Sequence, residues 1–245
     1  MKTKFYISIV VSVSIICSCG TDNSENKDSK ESITQISKSS DATSNTNTNI
    51  KAEEKLPADQ LRIGDQIWMS TNLNVDKFRN GDPITEAKTA QEWEKAGKDK
   101  KPAWCYYENN PANGEKYGRL YNWYAVNDPR GIAPEGFHIP KQSEWKKLIT
   151  TLGGKNVAGQ KMKAKSGWKD NGNGSNESGF NSVPGGNRMY DGAFKKIGIY
   201  SGWWSATGYG NRLAGLFRLT SENGKIFERD DSQRERGFAV RCVKD

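Results

Sequence analysis

Hydrophobic and polar positions divide this chain into three stretches. Residues 5–16 are mostly apolar, residues 20–56 are polar and lack any aromatic side chain, and from Pro57 onward apolar positions recur with the periods of strands and helices. In the third stretch, Ile63-Gly64-Asp65-Gln66-Ile67-Trp68-Met69 predicts a hairpin with Gly-Asp at its turn and Ile67 and Met69 on one face. Thr89 followed by Glu92 is a capping-box pattern, and Gly97 is placed to end the short helix it starts. After Pro140, Trp145, Leu148, Ile149 and Leu152 share one stripe, with Glu144, Lys146 and Lys147 opposite, so a helix is expected up to Gly153-Gly154. The last third alternates instead. Leu216-Phe217-Arg218-Leu219 leads into Ser221-Glu222-Asn223-Gly224, and Ile226 and Phe227 follow. Near the end, Phe238, Val240 and Cys242 alternate with Ala239, Arg241 and Val243, which predicts antiparallel strands. Helices first and strands after give an α+β domain.

The opening residues have the layout of a secretory signal: Lys2 and Lys4, the apolar run, then Cys17-Ser18-Cys19-Gly20. Spanning a bilayer as a helix takes about 20 apolar residues, more than this run supplies. Only Cys19 has a small residue, Ser18, directly before it and a branched one, Ile16, three before, so Ile16-Cys17-Ser18-Cys19 resembles a lipobox. Residues 1–18 are therefore expected to be a lipoprotein signal peptide and Cys19 the lipidated first residue. A single acyl chain anchors only marginally, whereas a diacylglyceryl group with an acylated amine holds a protein to a membrane. Asp22, Glu25 and Asp28 behind the anchor point towards the outer membrane or cell surface. Residues 19–56 bury too little apolar surface to offset ordering entropy, so a disordered tether is expected, reaching on the order of 30 to 40 Å. Residues 57–245 are of ordinary size for one domain.

Charge is concentrated in that domain. Residues 1–18 hold two of the 37 basic residues and the tether holds five, with seven of the 29 acidic ones, so the domain carries the whole net +8. A basic, outward-facing domain would favour anionic glycans, lipopolysaccharide or nucleic acid by long-range attraction. The lysines and arginines form no dense run, so solubility is the better explanation of them, and no nucleic-acid partner is expected. Cys105 and Cys242 are the cysteines of the domain, and in an exported protein a disulfide between them is the expectation, with two buried thiols as the alternative.

Six ordered blocks resemble a known family. They are Gln66-Ile67-Trp68-Met69-Ser70-Thr71-Asn72-Leu73-Asn74, Tyr117-Gly118-Arg119-Leu120-Tyr121-Asn122-Trp123-Tyr124-Ala125-Val126, Gly136-Phe137-His138-Ile139-Pro140 with Glu144-Trp145, Gly179-Phe180-Asn181, Trp203-Trp204-Ser205-Ala206-Thr207 and Val240-Arg241-Cys242. Together they resemble the Fibrobacter succinogenes major paralogous domain, over about residues 61–245. The resemblance implies an exported protein and names no reaction. Many members carry a cysteine where this chain has Ala133. At greater distance, the Pro-x3-Glu-Trp helix and the closing Arg-Cys-Val strand look like those of C-type-lectin-like folds, including formylglycine-generating enzymes. The copper chemistry of the latter needs a reactive cysteine pair and is not implied here.

Several residues invite chemistry. His138 is the only histidine, which leaves no multi-histidine zinc site and only one imidazole for a nucleophilic site; its ring is expected to bond backbone groups before the helix. Asp191, Asp230, Asp231 and Glu235 are available for carboxylate-based hydrolysis. The oxygen-rich stretch from Lys169 through Asp170, Asn171, Gly172, Asn173 and Gly174 to Gly179 would suit calcium, although it lacks EF-hand spacing; otherwise no cofactor is expected. For ligand binding the aromatic pair Trp203 and Trp204 stands out, with Asn187, Arg188 and Tyr190 nearby in sequence. Adjacent strand residues point to opposite faces, so at most one of the two tryptophans can serve a surface site. The resulting expectation is a surface-displayed, non-catalytic domain that binds a glycan or a protein, with a carbohydrate-active or other hydrolase using Asp and Glu carboxylates, or a structural cell-envelope protein, as the alternatives.

Overall fold

The computed structural model describes residues 55–245; the expected signal peptide, the Cys19 lipidation site and nearly all of the tether lie outside the described residues. In chain order the elements are β1 (Gln60–Ile63), β2 (Gln66–Met69), β3 (Thr85–Glu86), α1 (Ala90–Lys98), β4 (Ala103–Cys105), α2 (Pro111–Tyr117), β5 (Leu120–Tyr121), α3 (Trp123–Val126), β6 (Phe137–His138), α4 (Gln142–Thr151), α5 (Ala158–Met162), β7 (Gly185–Arg188), β8 (Phe194–Ile197), β9 (Tyr200–Tyr209), β10 (Leu213–Thr220), β11 (Phe227–Gln233) and β12 (Val243–Lys244). This is a mixed α and β domain in which the long strands fall in the second half and pair antiparallel.

Local sequence signals account for the edges of these elements. The β1–β2 hairpin turns at Gly64-Asp65, with Gly64 at φ +60. Thr89 caps α1: its hydroxyl accepts from the Glu92 amide at 3.1 Å, and the Glu92 carboxylate accepts from the Thr89 amide at 2.9 Å. The helix runs one residue past Gly97, which serves a different purpose there. A Cβ at Gly97 would meet the Glu235 side chain at 3.0 Å. Trp145, Leu148 and Ile149 form the buried stripe of α4, which stops before Gly153 and Gly154 in left-handed conformations.

Packing is organised around the sheet β9–β10–β11. Phe217 lies opposite Trp203, and Leu216 opposite Trp204, so neighbouring residues send their side chains to opposite faces. Trp203, Phe217 and Leu219 pack with Trp145 and Leu148 of α4, where Trp145 stacks on Phe217 with ring centroids 5.1 Å apart. On the other face, Trp204 and Leu216 pack with Tyr121, Trp123 and Phe238. Residues 238–243 keep the expected alternation between these two cores, and neither side faces water. Most of that segment is held by single bridges to Tyr121 and Trp203 rather than by a ladder, and it ends as β12 between β2 and β6.

One polar cluster joins these layers. Arg241 is wholly buried, and its guanidinium donates to Asn72 Oδ1 (2.9 and 3.1 Å) and to the carbonyls of Met69 (3.1 Å) and Phe180 (2.8 Å). Trp203 Nε1 donates to the same Asn72 oxygen at 2.9 Å, and Asn72 Nδ2 donates to the Tyr117 carbonyl at 2.8 Å.

The expected Cys105–Cys242 disulfide is corrected by the structure: both are free, buried thiols. Strand alternation separates them. Ala103 and Cys105 turn into a small core with Trp93, Tyr107 and Leu120, while Cys242 turns into the core of Trp204 and Phe238. Burial pushes both thiols up to about 12, so they are neutral at physiological pH. In a fragment comprising residues 57–245, a thiol reagent should label neither cysteine under native conditions and both in denaturant. A reductant should leave the melting temperature unchanged; a drop of several degrees would reveal a bond.

Candidate functional site

The apolar face of β10 gives way to charge at one edge. Leu216 and Arg218 share a face by alternation, and Arg229 of β11 lies opposite Leu216, with Asp231 two residues on. The β7–β8 hairpin runs alongside and contributes Asn187, Lys195 and Lys196, while the segment after β11 contributes Arg236. Together they enclose a cleft of about 420 Å³ floored by the buried phenol of Tyr200.

Its charge is unbalanced. Arg229 grips Asp231 through two nitrogens, Nε to Oδ1 at 2.9 Å, and this holds the Asp231 carboxyl below its usual pKa. Lys195, Lys196, Arg218 and Arg236 make no ion pair among the described residues. Arg218 lies over Phe227 and Arg236 over Phe238, at 5.3 and 5.1 Å, and the buried Nε of each finds no acceptor. Arg236 otherwise reaches only the Met189 sulfur, at 3.1 Å. Burial pushes Tyr200 up to about 12 although Arg218 and Arg236 pull it down, so it is a neutral hydroxyl beside them. Like charges gathered between low-dielectric walls focus field and concentrate anions.

Of the residues expected to bind ligand, Asn187 lines this cleft, and Tyr190 is half exposed in the β7–β8 turn. The other three are corrected. Arg188 is buried, donating to the carbonyls of Ala87 (2.7 Å), Thr89 (2.8 Å) and Gly192 (3.0 Å) between the rings of Trp93 and Phe194. Trp203 and Trp204 are both fully buried, because both faces of β9 are covered. Their indole nitrogens are spent on Asn72 and on the Tyr121 carbonyl. The sequence reading missed Lys195, Lys196, Arg218, Arg229 and Arg236. The signal was there in part: Arg218 interrupts an apolar strand, and Arg229 and Asp231 are spaced to share a face.

The family pattern described as the Fibrobacter succinogenes major domain matches residues 61–244. The chain belongs to this family. No curated protein and no solved structure matches it.

Elsewhere in this Fibrobacter succinogenes major domain, the other sequence signals have structural partners. A second cleft, about 700 Å³, opens beside the start of α4, with Val126, Ile132 and Ile139 in its walls and His138 and Glu144 at its edge. His138 bonds carboxylates rather than the expected backbone groups: Nδ1 lies 2.7 Å from Asp245 Oδ1 and Nε2 lies 2.7 Å from Glu144 Oε1. Neutral imidazole carries one N–H, so donating to both carboxylates requires the imidazolium, which has no lone pair to act as a base. Several acceptors of the oxygen-rich loop at residues 169–179 are taken by protein donors. Lys163, buried by the ring of Trp168, gives its ammonium to the Gly172 carbonyl at 2.9 Å, and Asn173 Oδ1 takes the Trp168 amide at 3.0 Å. A Cβ at Gly174 would meet Lys163 Cβ at 2.4 Å, so the loop lies tight against this lysine. The four carboxylates singled out do not converge. Asp191 accepts from the Ala193 amide, Glu235 from the Tyr124 hydroxyl, Asp231 is gripped by Arg229, and Asp230 lines a different cleft.

Burial of the His138 ring lowers its pKa, but the bonds to Asp245 and Glu144 outweigh this and raise it above the ordinary histidine value. A raised folded-state pKa contributes stability that is complete below the unfolded value, about 6.5, and is lost as pH rises through the folded one. The stability difference between the protein and His138→Gln should therefore shrink as pH rises above about 6.5. Denaturant unfolding across that range measures it, and a pH-independent difference would contradict the imidazolium.

Proposed function

We propose that this domain is a binding module, held outside a membrane by a lipidated Cys19 and a polar tether, that engages a glycan or surface-protein ligand through the basic cleft. The observation that supports this is the set of four cations, Lys195, Lys196, Arg218 and Arg236, lining one cavity without a carboxylate partner among the described residues. Lys195 and Lys196 are exposed, but Arg218 and Arg236 are half-buried, and half-buried cations are usually paired, since leaving them without counter-charge is unfavourable. For these two arginines that cost is retained beside an otherwise well-packed sheet, which suits a preformed site for an anionic group. The export signal, the tether and the likeness of α4 and the closing strand to lectin-like domains belong to the same proposal.

Glycan-array and pull-down assays with residues 57–245 test it. Binding should weaken steeply as salt is raised, because long-range attraction is screened within about 10 Å at 0.1 M. Replacing Arg218 and Arg236 together with alanine should weaken it at least tenfold, with the circular-dichroism spectrum retained. Binding that survives the double substitution would place recognition elsewhere.

A further inference from the structure

Accepting the cleft as the recognition site, we infer that its ligand is an anionic saccharide: a sugar unit bearing a carboxylate or sulfate group together with free hydroxyls. The cleft is not uniformly positive. Asp231 stands among the cations, and its carboxylate, with about four lone-pair sites, keeps acceptor capacity after Arg229 has taken two bonds. Polyphosphate is drawn in by the net positive charge but offers that carboxylate no hydrogen-bond donor. A sugar hydroxyl does offer one, and donates to it.

The neutral groups fit the same ligand. Asn187 is buried, yet its amide donates only to the Met189 sulfur, at 3.5 Å, a weak acceptor readily exchanged for a hydroxyl. Ser232 adds a hydroxyl to the same wall. Arg218 and Arg236 lie deeper, while Lys195 and Lys196 are exposed at the rim, so the anionic group is seated by the arginines and approach is steered by the lysines. A volume of about 420 Å³ falls in the range of small-ligand sites. Nucleic acid fits poorly, since single strands are held by base stacking on exposed aromatics and the cleft's one aromatic ring, Tyr200, is buried.

Titration calorimetry on the full chain in detergent tests this inference with five probes: oligogalacturonate, sulfated dextran oligosaccharide, neutral dextran oligosaccharide, polyphosphate and single-stranded DNA. The two anionic saccharides should bind, and their relative affinities tell carboxylate from sulfate. Neutral dextran should not bind, and polyphosphate and DNA should bind at least tenfold more weakly. Asp231→Asn should weaken the saccharides and strengthen polyphosphate, closing that gap. Replacing Lys195 and Lys196 with alanine, two exposed positions that leave the core untouched, should slow association and flatten its salt dependence. Polyphosphate or DNA binding as tightly as the saccharides, with the arginine dependence intact, would overturn the ligand class while leaving the cleft as the site. No binding of either anionic saccharide would also overturn the ligand class. Saccharide binding that ignores Arg218→Ala with Arg236→Ala would overturn the cleft reading itself.

Discussion

A buried guanidinium without a counter-ion sits where the layers of this domain meet. Arg241 is 1% exposed, and burial draws its pKa down to about 9, which still leaves it charged at neutral pH. Its charge is met by the dipoles of one amide and two carbonyls, and by the face of Phe180 at 4.3 Å. A planar fork of fixed geometry imposes positions on whatever answers it. Here it fixes the chain after β2, the loop carrying Phe180 and the closing segment. The shared Asn72 oxygen adds β9 through Trp203, and the Asn72 amide adds the end of α2.

The two-core arrangement follows from that fixation. With residues 238–243 pinned between layers, Phe238, Val240 and Cys242 must feed one core while Ala239 and Val243 feed the other. The same alternation parts Trp203 from Trp204 and turns Cys105 and Cys242 into separate cores. It also delivers the basic cleft. Along one face of β10, Leu216 is still inside the core and Arg218, two residues on, is at the cleft. The backbone of the β9–β10–β11 sheet and of the β7–β8 hairpin sets the walls of this cleft.

Much of the fold was legible because it rests on local chemistry. The Gly64-Asp65 turn, the Thr89 cap and the α4 stripe depend on neighbours within a few residues. Gly97 misled because a close approach by Glu235, distant in sequence, favours a small residue at a place where a helix stop also would. The tryptophan pair was readable as opposed faces, but not that both faces are covered. The disulfide was inferred from compartment, while the strand facing that forbids it depends on β4 and the closing segment together. The cleft was least legible. Its cations come from β8, β10 and the segment after β11, and what marks them is the absence of partners, which no spacing of residues displays.

The central claim, that the Asn72–Arg241 cluster locks these layers together, is tested most directly by urea unfolding of Asn72→Ala followed through tryptophan fluorescence. Removing the amide strands a buried guanidinium and the Trp203 indole nitrogen, and stability should fall by about 3 kcal/mol or more. A loss within about 0.5 kcal/mol, the range of an ordinary surface substitution, would show that the layers hold without it.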